Sequence, residues 1–241
     1  VAITQTGSTL TFTGSYGSAS TGTVSSTITV PSDAEIVIVG LSGYHGASGG
    51  FSSMLFTKGG SQTAMTKVAT GMDAGVTWQG ALFYQVSPDT GSNKSLTWSY
   101  TGGPTDPLRV HSVQFWKGID TASPVRSHAG TMRTSLPIET GSMTAQSGDK
   151  ALAFIGMYTA GNNSSSTTWT SPFTSYEELT NATDADGAWG VADPTASTTA
   201  KVTATQFGSE WALGALVLIP AAGATVLSPT LYVNRGPIRS N

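Results

Sequence analysis

Strand-length apolar runs, each closed by Gly, Pro, Ser, Asn or Asp, recur along the whole chain, while no ten-residue window carries a sustained i, i+3, i+4 apolar pattern with a cap. That single contrast removes helical and α/β architectures and leaves an all-β fold. The clearest runs are Glu35–Leu41, nearly continuous in apolar residues and therefore read as a central strand, Gly75–Val86, Leu108–Lys117, Ala151–Tyr158 and Trp211–Ile219. Between them, Ser95–Tyr100 alternates Leu96, Trp98 and Tyr100, and Ser197–Thr205 alternates as a half-exposed or edge strand does. Pro31-Ser-Asp33, Gly59-Gly60, Pro88-Asp-Thr-Gly91 and Ser147-Gly-Asp149 carry turn chemistry.

Roughly ten strands around one core are expected, packed as a two-sheet β-sandwich of jelly-roll or Greek-key type over residues 1–220. The second half repeats the style of the first. Residues 221–241 form a linker and a C-terminal docking tail, because alternation stops after Pro220 while Leu227, Leu231, Tyr232 and Val233 cluster between two prolines, Pro229 and Pro237.

Composition then narrows function. Charged residues make up 10% of the chain, with a net charge of −3 and no basic run, so phosphate neutralisation is a poor fit and no nucleic-acid partner is expected. Apolar residues at 38% argue against disorder despite the many Ser, Thr and Gly. No stretch reaches the length of a helical membrane span, and the absence of Cys rules out disulfides and thiolate metal sites. The chain opens Val1-Ala-Ile without a signal-peptide pattern, which leaves open removal of a signal or of an initiator Met.

Catalytic patterns are thin. His45, His111 and His128 have no metal-ligand spacing, and Asp184-Ala-Asp186-Gly187 lacks the rest of a calcium loop, so no metal and no cofactor are expected. No nucleophile elbow precedes a helix. Paired-carboxylate hydrolysis, the third reading, would draw on Glu35, Glu139, Glu177, Glu178 and Glu210. No catalytic residue is assigned, and the chain is read as a non-enzyme. A carbohydrate-binding alternative rests on Tyr44, Trp169 and Trp189 near the polar loops that hold Asn162 and Asp184.

Leu227-Ser-Pro-Thr-Leu-Tyr-Val-Asn234 resembles a short Leu-x-Pro-x-Leu segment of structural proteins of tailed phages and gene transfer agents. Gly118–Pro124, Ser147-Gly-Asp149 and Trp211-Ala-Leu213 are similar to features of β-sandwich modules in phage and bacterial surface proteins. The resemblance implies a virion protein: a head decoration or spike, or a tail-fibre module, assembled in the host cytoplasm. Its expected partners are other capsid or tail proteins, further copies of itself as a homo-oligomer, and, in the alternative reading, host-surface polysaccharide met from a virion or as a secreted module. Docking is expected through Leu227, Pro229, Leu231, Tyr232 and Val233, with Arg235 and Arg239 pairing with acids on the partner.

Overall fold

A computed structural model describes residues 1–15, 21–44, 50–68, 72, 78–101, 108–158, 167–179, 185–205 and 210–222. The strands run β1 (Thr4–Gln5), β2 (Leu10–Ser15), β3 (Thr21–Val30), β4 (Ile36–Tyr44), β5 (Gly50–Lys58), β6 (Ser61–Ala64), β7 (Thr66–Val68), β8 (Trp78–Val86), β9 (Gly91–Thr101) and β10 (Leu108–Lys117). They continue with β11 (Val125–Arg133), β12 (Ile138–Glu139), β13 (Lys150–Tyr158), β14 (Thr167–Trp169), β15 (Thr174–Leu179), β16 (Ala185–Ala192), β17 (Lys201–Thr205) and β18 (Glu210–Leu218). The fold is all-β, with antiparallel sheets packed face to face.

Among the described residues, four sheets form instead of two. A first inner sheet takes the order β1-β10-β4-β8-β7, with β2 also on β10, and a first outer sheet takes β3-β9-β5-β6. A second inner sheet takes β11-β18-β13-β16-β15, and a second outer sheet β12-β17-β14. Three apolar clusters fill the spaces between them. Ile28, Met54, Phe56, Leu96, Trp98 and Phe83 lie between the first outer and inner sheets. Ile36, Ile38, Leu82, Leu152, Phe154, Trp189 and Leu216 lie between the two inner sheets. Ile138, Ala153, Ile155, Leu213 and Val202 lie under the second outer sheet.

This layering explains the continuous apolar runs. In β4, Ile36 and Ile38 face the central seam while Val37, Val39 and Leu41 face the first outer sheet. In β13, Leu152 and Phe154 face the seam while Ala151, Ala153, Ile155 and Met157 face the second outer sheet. A strand covered on both faces has no wet parity, so the alternation that marks an exposed sheet disappears. The single core expected from sequence becomes three because the inner sheets are covered twice.

The two halves share one connectivity. From β2 to β10 the chain visits inner, outer, inner, outer, outer, inner, inner, outer and inner sheets; from β11 to β18 it repeats that path, with no counterpart of β6 among the described residues. The linker between halves is pinned: the Glu35 carboxylate accepts the Gly118 and Ile119 N–H groups at 2.7 and 2.9 Å. Gly118 itself has φ +79°, and a Cβ there would lie 2.3 Å from the Ala2 carbonyl oxygen, so the turn requires glycine.

Candidate functional site

The tail to which sequence assigned docking, with Leu227, Pro229, Leu231, Tyr232, Val233, Arg235 and Arg239, lies outside the described residues. Its point of departure is defined. β18 is an interior strand, flanked by β11 and β13. Beyond it, Pro220 bridges Ile119, and the Ala221 N–H donates to the Gly118 carbonyl at 2.9 Å. The chain therefore reaches residue 222 held against the linker between the halves.

The aromatic candidates for sugar stacking are placed differently from expectation. Trp189 is fully buried in the seam. Its ring centroid lies 5.0 Å from that of Phe154, and its Nε1–H donates to Ser112 Oγ at 2.7 Å. Sitting at the middle of an inner strand, it offers no face to a ligand. Trp169 is half-buried, and its ring crosses the second sandwich to lie on Gly190, where a Cβ would come within 2.7 Å of it. Phe173 stacks beside that ring at 6.1 Å. Trp169 is thus a core plug that takes the room left by a glycine. Proximity to polar loops misled the sequence reading, since those loops leave from strand ends while the rings point between sheets. Tyr44 closes β4 opposite Trp78; Asn162 and Asp184 lie outside the described residues.

Three of the acidic candidates, Glu35, Glu178 and Glu139, serve as fasteners. Glu35 holds the linker as described. Glu178 accepts the Thr167 N–H and hydroxyl at 3.0 and 3.1 Å, tying β14 to β15. Glu139 pairs with Lys201 at 3.0 Å across β12 and β17. None of these three carboxylates is presented as an unengaged acid or base, and each fixes one strand or segment to another.

Sequence missed a second set of such groups. Asp149, with its side chain fully buried, binds the Arg126 guanidinium through both oxygens, at 2.6 Å to Nε and 3.0 Å to Nη2, and also accepts the Gln146 N–H at 2.9 Å. The carboxylate pushes the Arg126 pKa above its ordinary value through that hydrogen bond. Asp89 accepts the Gly59 and Gly60 N–H groups at 2.7 and 2.8 Å, which holds its pKa below the usual carboxylate range. Asp33 is lowered first by its hydrogen bond from Lys117, at 2.6 Å, and then by Thr6. Each is visible in sequence only as a turn acid; its partner is remote along the chain.

A groove of about 430 Å³ runs beside the second outer sheet, lined by Glu139, Lys201, Asp193, Thr198 and the Ser171–Pro172 turn. Lys150 pairs with Asp193 at its rim. Thr198 is buried with its hydroxyl unpartnered, although its backbone pairs with Met143 in both directions. Among the described residues, no three His, Cys, Asp or Glu side chains gather in a way that could hold a metal ion. No family model, no curated protein and no solved structure matches this chain.

Proposed function

We propose that the chain is a non-enzymatic structural protein of a phage particle, a head decoration, spike or tail-fibre module, whose stacked sandwiches are the displayed body and whose residues 225–241 dock on a neighbouring virion protein. The observation that carries this reading is the way the body ends. Among the described residues, the last strand has a neighbour on each side and the chain beyond it is clamped to Gly118. Leu227, Leu231, Tyr232 and Val233 then follow as an apolar segment with Pro229 and Pro237 on either side. Burying that segment on a partner releases water from apolar surface, and the prolines reduce the entropy lost on docking. The described carboxylates support the same reading, because they fasten strands and turns.

The test is a chain ending at residue 224. It is expected to melt within a degree or two of the full-length protein and to be missing from purified particles assembled in its presence. Incorporation of the shortened chain at full occupancy would overturn the proposal.

A further inference from the structure

The shared connectivity extends to register. In the first inner sheet Gly80 stands opposite Ser42, Leu82 opposite Gly40, and Gly40 opposite Ser112. In the second, Gly187 stands opposite Gly156, Trp189 opposite Phe154, and Phe154 opposite Gly214. Laying one ladder on the other equates Ser42 with Gly156, Gly40 with Phe154, Leu82 with Trp189 and Ser112 with Gly214. The tripeptides Gly80-Ala-Leu82 and Gly187-Ala-Trp189 then coincide.

In a two-fold contact, the equivalents of two touching residues also touch, and at the axis a residue meets its own equivalent. Both signs are present. β8 packs on β18 as β16 packs on β10, and these are equivalent pairs. At the centre, where β4 meets β13, a Cβ on Gly40 would lie 2.6 Å from Phe154 Cγ, and a Cβ on Gly156 would lie 2.1 Å from Ser42 Cβ. Each residue at the centre thus meets its ladder equivalent, and each such pair is unequal in size: nothing against a phenyl ring, a hydroxymethyl group against nothing.

We infer that the chain is a duplicated sandwich whose halves face each other about a local two-fold, through a seam keyed so that a first half accepts a second half and rejects its own kind. Two first halves would set Gly against Gly and leave the ring's volume empty. Two second halves would set Phe against Phe in a gap that holds one ring. The seam therefore pairs a first half only with a second half, since interiors tolerate neither a void nor an overlap of that size.

Exchange across the axis tests this in the full chain. Phe154→Gly alone is expected to lower the melting temperature by roughly 10 °C. Gly40→Phe alone sets two rings in one site and is expected to lower it further. The double variant Gly40→Phe/Phe154→Gly moves the ring to the equivalent position and is expected to melt above Phe154→Gly. A double variant melting at or below Phe154→Gly overturns the two-fold equivalence. A milder exchange guards against loss of folding: Gly156→Ser is expected to lower the melting temperature, and adding Ser42→Gly to restore it. A second substitution that gives no recovery counts equally against the inference.

Discussion

The two sandwiches share a path through space and differ in how they fill it. The first is aromatic: Phe51, Phe56, Phe83, Phe115 and Trp98 sit under a four-stranded outer sheet. The second is built on alanine, with Ala145, Ala151, Ala153, Ala188, Ala192, Ala200 and Ala215 beneath three short strands. The register that equates Leu82 with Trp189 equates Phe83 with Gly190, and Val39 with Ala153. In the first half the volume at this position comes from the inner sheet as Phe83. In the second it comes from the outer sheet as Trp169, laid over Gly190. Connectivity and strand pairing persist while, at this one position, the core volume comes from the opposite sheet.

The largest effects should come from removing those two fillers. Phe83→Ala is expected to cost about 4 kcal/mol, a sizeable fraction of a domain's whole stability, read from urea unfolding. Trp169→Ala is expected to cost somewhat less, about 3 kcal/mol, because that ring is half-buried. In the Trp169→Ala background, Gly190→Phe rebuilds the first half's solution and should recover part of the loss. A further fall on adding Phe would show that the two sides of the core are not interchangeable.

Equivalent acids in the two halves hold different partners. Three residues before Ile38 and Leu152, which the ladders equate, stand Glu35 and Asp149. Asp149 holds a guanidinium, whereas Glu35 holds two backbone N–H groups. Arg126→Ala leaves a buried carboxylate without its counter-charge and is expected to cost about 3 kcal/mol. Glu35→Ala frees groups that lie partly in reach of water and is expected to cost about 1–2 kcal/mol. Equal costs in unfolding experiments would mean that burial of the acid is not what separates the halves.

Much of the fold can be read from residues alone. Leu108–Lys117 is a strand over the range its alternation marks, and the continuous run at Glu35–Leu41 corresponds to a strand covered on both faces. β11 was hidden because Val125–Arg133 is an edge strand, half-buried along most of its length and carrying Arg126, His128 and Arg133, so no parity stands out. Two sheets were expected where four form because double coverage of inner strands looks, in sequence, like one thicker core. The duplication was faint for a related reason: Gly40 and Phe154 are equivalent by register yet opposite in size. At the candidate sites, the tail is marked by a break in alternation, but Trp169 and Trp189 could not be separated from surface rings without knowing which way each strand faces.

The smallest expected effect is electrostatic and falls on the first half. Asp33 and Asp89, both lowered below the ordinary carboxylate range, belong to the first sandwich. A carboxylate whose folded pKa lies below its unfolded value adds stability at pH above the unfolded value, near 3.9, and loses it as pH falls through the folded value. Both groups are solvent-accessible, so the effect is local and is weakened by salt. Asp89 is the sharper probe because it caps the Gly59–Gly60 turn, where both glycines have positive φ, +62° and +72°, and donate their N–H groups to it. Amide exchange at those two residues, corrected for intrinsic rates, is expected to lose protection as pH drops below about 4, while amides of β13 and β18 keep theirs. Asp89→Asn removes the charge that titrates and should flatten this pH dependence. If the turn's protection falls with pH equally in Asp89→Asn, the acid response belongs to the sandwich as a whole, and the electrostatic difference between the halves disappears.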